Sequence, residues 1–241
     1  MSDILYIVMP AYNEEANIER VVRDWYPHIA YKPRGSKLVI ADEGSTDRTR
    51  EILTALKEEM PRLEILTGTD KLHGPKCIAL YDYAIKNGAD YVFQTDSDGQ
   101  TEPDEFPAFW HHRHEYEVIL GNRTERGDGK IRHFVEKVVI CLLYIFFRVR
   151  VPDANVPFRL METACLKKYL YRLPKDYFLP NIMLTTFFKY YGHHVGYKRI
   201  SFRPRGGGKN SINLIKIVKV GIQAFADFYA FSRMLKKEKE G

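Results

Sequence analysis

Apolar runs alternate with amphipathic stretches through the first half of the chain. Ile4–Met9 is continuously apolar, the mark of a strand covered on both faces. Pro10–Glu15 then turns into a helix predicted to run to about Ile29, with Asn13 as its N-cap and Ile18, Val21, Val22 and Trp25 at helical spacing. Lys37–Ala41 is a second strand, and the polar turn Asp42–Asp47 leads into a helix ending near Met60. Leu63–Thr67 is a third strand, Gly74–Asn87 a helix closed by Gly88, and Asp90–Thr95 the strand at the centre of the pattern. A helix after Pro103 leads through His114 to a strand at Glu117–Gly121. Strand and helix alternating at this spacing predict an α/β fold with a mostly parallel, doubly wound sheet. Ligands of such sheets collect at the carboxyl ends of the strands, where the polar turns after Met9, Ala41 and Thr95 all lie.

The second half is more apolar and less regular. The charged segment 122–129 reads as a loop, Val138–Phe147 is wholly apolar, and Asp153–Arg159 reads as a loop before helices near Thr163–Tyr171 and Pro180–Tyr191. Val195–Phe202 is a last strand, and the basic stretch Arg203–Ser211 contains three consecutive glycines. In Ile212–Leu235 the polar positions Asn213, Lys216, Lys219, Gln223 and Asp227 fall on one stripe, leaving a broad apolar face that needs a partner. The organisation expected is a domain over 1–211 followed by an amphipathic helix and charged tail over 212–241.

Charge and cysteine usage narrow the setting. A net charge of +6 favours anionic partners, but the basic residues are scattered and carry no nucleic-acid-binding motif, so nucleic acid is not expected. Three cysteines without metal-ligand spacing, and a start at Met1-Ser2-Asp3 without a charged leader, point to a reducing, cytoplasmic setting. No apolar run reaches the roughly 18–20 residues of a membrane span, so any membrane contact would be peripheral, on the cytoplasmic face.

The chemistry concentrates after the central strand. Asp96 and Asp98, one residue apart at a strand end, face the same way and can converge on one point. Paired carboxylates repel unless a cation sits between them, and hard oxygen donors with open positions suit Mg²⁺ or Mn²⁺ carrying substrate phosphates. Gln100 could add a neutral oxygen to the same ion. The plain alternative is a solvated Asp-Ser-Gly turn. Adjacent His111 and His112 point about 100° apart on a helix and read as surface residues, and His193-His194 after Gly192 reads as a turn.

Val8–Glu15, Asp42–Asp47, Asp96–Gln100, Gly121-Asn122-Arg123, Asp153 with Pro157-Phe158-Arg159, and the basic segment around Arg205 together resemble the inverting glycosyltransferases of family 2. Within that family they are most similar to the polyprenyl-phosphate, dolichol-phosphate mannose synthase-like branch. The resemblance implies a glycosyltransferase A fold binding a UDP- or GDP-linked sugar. Pro10, Ala11, Tyr12 and Glu14 would line the base and ribose pocket, Asp42 would hydrogen-bond the base, and Lys76 would lie near the sugar or diphosphate. Asp96, Asp98 and Gln100 would hold Mg²⁺ or Mn²⁺, through which Asp98 would stabilise the leaving diphosphate, with Asp153 as catalytic base, or as an orienting group where the acceptor is a phosphate. Arg123, Arg132, Arg159, Arg205 and Lys209 would face a lipid-phosphate or glycan acceptor. Val156-Pro157 stands where the branch has Ser-Gly, and Arg205–Ser211 departs from its basic motif, both on the acceptor side. The apolar helices would meet lipid, the core or a second copy of the chain. A lapsed enzyme serving as a binding module would share the scaffold, but intact Asp42, Asp96 and Asp98 favour catalysis. A sugar nucleotidyltransferase fits less well, because its glycine-rich N-terminal loop is missing.

Overall fold

The computed structural model describes residues 3–123, 130–204 and 214–240, with the side chains of 130–134, 214–219 and 239–240 outside it. Seven strands form one sheet: β1 (Leu5–Ala11), β2 (Lys37–Asp42), β3 (Leu63–Leu66), β4 (Tyr91–Thr95), β5 (Val118–Arg123), β6 (Phe158–Glu162) and β7 (Val195–Ile200). Their order is β3-β2-β1-β4-β6-β5-β7, parallel throughout except for β6, which runs antiparallel between β4 and β5. Pro10 is tolerated in a central strand because the pairing of β1 with β4 ends at Val8, so its missing N–H interrupts no ladder there.

β6 is the strand that the sequence pattern missed. The pattern reads as loop up to Arg159 because an arginine breaks the apolar signature of a buried strand, yet the residue is fully buried. The first helical region is also rearranged. It splits into α1 (Ile18–Trp25) and α2 (Pro27–Ala30) at Pro27, whose ring cannot supply the next N–H. Asn13 is not a cap; it adopts a positive φ of 54° within the turn that precedes α1.

Helices cover both faces. On one, α1 and α5 (Phe106–His111) close over the sheet through Trp25, Phe93, Phe106 and Phe158, with the Phe93 and Phe158 rings edge-to-face at 4.7 Å. α3 (Thr49–Glu59) packs beside α1. On the other face α4 (His73–Lys86) lies along β1 and β2, flanked by α7 (Thr163–Leu170) and α8 (Pro180–Tyr190). Because side chains alternate along a strand, Phe93 points into the aromatic layer while Gln94 points at α4 and α8. α6 (Lys130–Phe147) and α9 (Leu214–Glu240) pack together through Phe146–Phe225 and Phe147–Phe228 ring contacts, and α9 shares the core through Ala224, Phe228 and Leu235.

Candidate active site

The loops after β1 and β2 are laced together at the carboxyl edge of the sheet. The left-handed turn at Asn13 lets its amide oxygen accept the Thr46 N–H at 2.8 Å while its own N–H donates to Ser45 Oγ at 3.0 Å. Glu14 N–H donates to Thr49 Oγ1 (2.8 Å), Glu15 N–H donates to Asp47 (3.1 Å), and Thr49 donates to Asp47 through its hydroxyl (2.6 Å) and its amide (3.0 Å). Burial alone would raise the Asp47 carboxyl, but the hydrogen bonds from Thr49 and Glu15 outweigh it and hold it below the usual carboxylate range. Lys76 is 1% exposed and joins the two loops from beneath, its ammonium donating to Ala11 O (2.6 Å) and Glu43 O (3.0 Å). Burial lowers its pKa, with Asp42 opposing. Lys76 therefore shapes the floor of the pocket, 5.2 Å below the half-exposed Tyr12 ring.

Asp42 stands differently from expectation. Its carboxylate is 1% exposed, accepting Ser45 Oγ–H at 2.5 Å and ion-paired with Arg50 at 2.9 Å. Arg50 also donates to the Asp42 carbonyl. In this conformation the carboxylate is sealed from the cleft, so reading a base would require Arg50 or Ser45 to yield. Beside it, Glu43, Gly44, Thr69, Asp70, Lys71 and Leu72 line a cavity of about 410 Å³.

The loop after β4 is held to β1 by Ser97, whose hydroxyl donates to Pro10 O at 2.8 Å. Asp98 accepts the Gln100 N–H at 3.1 Å across Gly99, which has a positive φ of 71°. Asp96 is supported from behind by a buried polar chain. Gln94 donates its amide to Asp96 Oδ1 (3.1 Å), Asn181 donates to Gln94 Oε1 (3.0 Å), and Tyr81 donates to Asn181 Oδ1 (2.6 Å). Burial raises the Asp96 pKa, and His73 and Arg123 counter it. His73, the first residue of α4, brings its Nε2 within 3.9 Å of Asp96. The donor set fits a hard divalent cation: two neighbouring carboxylates on one rim, both partly buried. Gln100 contributes less freely than expected. Its side-chain amide donates to Arg203 O at 2.8 Å and its carbonyl accepts the Arg203 N–H, leaving Oε1 as its ligand atom. These bonds tie the segment 201–204 to the carboxylate loop.

On the acceptor side, β5 ends in Arg123, which grips Asp153 with two hydrogen bonds of 2.6 and 2.9 Å. The Arg123 guanidinium also lies over Phe202, 4.9 Å from the ring centre. Asp153, expected as a catalytic base or, for a phosphate acceptor, as an orienting group, is 1% exposed, and in this arrangement both its oxygens engage the arginine. Arg159 is a clear departure from the acceptor role expected of it. It is 0% exposed and donates to Val156 O, Asn181 O and Thr185 Oγ1, a structural strut linking β6 to α8. Arg205 and Lys209 lie outside the described residues, as does the side chain of Arg132 on α6. His111 ends the short helix α5 and His112 follows it, with His112 Nδ1 bonded to Ala108 O.

The residues missed by sequence reading are Tyr81, Gln94, Asn181 and His73. A polar Gln94 inside an apolar strand and an Asn181 at the head of an apolar helix were the available signals, since buried amides need partners.

Comparison with known proteins places these features in a family. The family model described as Glycosyl transferase family 2 matches residues 6–174. An undecaprenyl-phosphate 4-deoxy-4-formamido-L-arabinose transferase of Pseudomonas aeruginosa is 23% identical over 219 residues, 90% of this chain and 63% of that protein. The chain thus spans less than two thirds of that relative's length. The succinoglycan biosynthesis protein ExoA of Rhizobium meliloti is 35% identical over 103 residues, 42% of this chain and 29% of that protein. Among solved structures, glucosyl-3-phosphoglycerate synthase from Mycobacterium tuberculosis with Mn²⁺ and UDP-glucose superposes with a TM-score of 0.69 at 17% identity, covering 95% of this chain and 79% of that one. S. aureus TarS with UDP-GlcNAc gives 0.60 at 16% identity, covering 88% and 62%. The fold is that of the glycosyltransferase A class.

Proposed function

The chain belongs to glycosyl transferase family 2, and from that membership we propose that it transfers a sugar from a nucleoside-diphosphate sugar to an acceptor. The observation that carries this reading is the single rim on which the laced β1 and β2 loops, their adjoining cavity, and the Asp96 and Asp98 carboxylates meet. The base and ribose would lie on the Pro10–Tyr12 and Glu14 side, over the floor set by Lys76. Asp96, Asp98 and Gln100 Oε1 would hold Mg²⁺ or Mn²⁺, which when bound neutralises charge developing on the leaving diphosphate.

The acceptor enters from the Arg123 side. A phosphate acceptor is already ionised at neutral pH and needs orientation more than deprotonation, which suits an Asp153 locked onto Arg123. A lipid phosphate, as named for the Pseudomonas aeruginosa relative, therefore fits this corner better than a sugar hydroxyl. Exposed apolar residues on α6 and α9 support an acceptor met at a membrane face.

The test is Asp98→Ala, assayed with UDP- and GDP-sugars, Mn²⁺ and polyprenyl phosphate. Turnover should fall by at least about 10²-fold with the melting midpoint little changed, as for loss of an electrostatic stabiliser. Equal turnover in the variant, or in excess chelator, would sink the assignment.

A further inference from the structure

Three metal-binding side chains converge at the edge of the sheet opposite Asp96 and Asp98. Glu117 immediately precedes β5, His193 lies in the turn before β7, and Cys165 projects from α7. β5 and β7 run parallel to each other and, through the antiparallel β6, parallel to β4, so their starts lie at the far rim. Among the described residues, the carboxylate, thiol and imidazole donor atoms here all lie within 4.8 Å of one another. His193 Nδ1 is 2.7 Å from Glu117 Oε1 and 3.5 Å from Cys165 Sγ, and Nε2 is 2.7 Å from the Tyr169 hydroxyl. The other Glu117 oxygen accepts the His194 N–H at 3.0 Å.

Without a metal, Nδ1–H can donate to the Glu117 carboxylate at 2.7 Å while Nε2 accepts from the Tyr169 hydroxyl, leaving the Cys165 sulfur only a weak contact at 3.5 Å. A cation placed among the three would engage carboxylate, imidazole and sulfur together.

We propose that Glu117, Cys165 and His193 form a site for a borderline-soft divalent metal, Zn²⁺ foremost, with a fourth position left for water. Zn²⁺ takes N, O and S donors at about 2.0–2.3 Å, which sets tetrahedral donors roughly 3.3–3.6 Å apart. The nitrogen–sulfur pair already stands at 3.5 Å, the nitrogen–oxygen pair at 2.7 Å has to open, and the sulfur and oxygen lie within 4.8 Å of each other. Binding releases the thiol proton to solvent and leaves the ring proton on Nε2, where it donates to Tyr169. Tyr169 and the His194 amide then act as outer-shell partners that fix the ring and the carboxylate. Thiolate and imidazole select Zn²⁺, while the all-oxygen set at Asp96 and Asp98 selects Mg²⁺ or Mn²⁺, so the two sites take different ions. The metal would clasp the starts of β5 and β7 to α7.

The experiment titrates Co²⁺ into the full chain carrying Cys77→Ser and Cys141→Ser, with excess Mg²⁺ present. A thiolate-to-Co²⁺ charge-transfer band should saturate at one ion per chain and be displaced by Zn²⁺. Cys165→Ala should abolish the band, Glu117→Gln should weaken Co²⁺ binding at least tenfold, and Asp98→Ala should leave the band intact. Absence of the band at stoichiometric Co²⁺ overturns the site even if Cys165→Ala fails to fold. So does a band that survives Cys165→Ala.

Discussion

Gln94 shows how a single buried amide can set the Asp96 carboxylate, the proposed metal ligand. Its nitrogen donates to Asp96 and its oxygen accepts from Asn181, so both halves of the group are used with no solvent exposure. Replacing Gln94 by Leu removes its side-chain hydrogen bond to Asp96 and strands the Asn181 amide. An unmet buried polar group costs about 1–3 kcal/mol, so the melting midpoint should drop. If the chain positions Asp96 for metal, Mn²⁺ affinity measured by calorimetry should also fall about tenfold, or about 1.4 kcal/mol. Tyr81→Phe, two links further along that chain, should lower stability by about 1 kcal/mol and leave Mn²⁺ affinity nearly unchanged. A Gln94→Leu protein with lower stability but unaltered Mn²⁺ binding would reduce the chain to a packing device. None of this was legible from sequence, because Gln94 and Asn181 lie 87 positions apart and pair only once α8 is folded onto β4. Arg159 misled for a related reason. Following Pro157-Phe158 it looks like an anion-binding residue, and only the fold supplies the acceptors that bury it.

At the scale of elements, the parallel strands and their polar carboxyl-end turns were readable, since uninterrupted apolar runs and Asp-rich turns are local signals. The antiparallel β6 was not, because Arg159 near its start hides the run and its neighbours in the sheet come from distant parts of the chain. The interlocking of the β1 and β2 loops likewise depends on contacts between segments about thirty residues apart, as in the 2.8 Å bond from Thr46 to Asn13. Asp47 is the joint of that lock. Its folded pKa is depressed, so the stability it contributes is fully present above the unfolded carboxylate value of about 3.9 and is lost as pH falls through the folded value. Asp47→Asn should therefore cost about 1 kcal/mol near pH 7, a figure kept small because the group is half-buried. The difference between variant and parent in urea unfolding should shrink as the medium is acidified through that range. A gap that stays constant down to the acid limit would show that Asp47 acts through shape alone.

The molecule as a whole leaves one side unfinished. α6 and α9 bury Leu143, Phe147, Ala224, Phe228 and Leu235, so each helix has a genuine core face. Yet Ile145, Ile222, Phe225 and Tyr229 remain more than half exposed, and Arg148 and Arg150 frame this surface around the Tyr144 ring. On α9, Ile222, Phe225 and Tyr229 fall within an arc of about 60° beside the buried stripe. No helix among the described residues is long and apolar enough to cross a membrane. An apolar patch with a cationic margin on a helix pair suits the interface of an anionic bilayer, where each basic residue contributes about 1 kcal/mol. Flotation with anionic liposomes should therefore carry the protein upward at low salt and release it at high salt, since screening shortens the reach of its charges. Ile145→Asp with Ile222→Asp should abolish flotation while leaving the melting midpoint nearly unchanged, because both side chains are 55% exposed or more. Parent protein that stays at the bottom of the gradient at low salt would refute the interfacial reading. A concentration-dependent rise in mass, lost in the same double variant, would then assign the patch to a second copy of the chain.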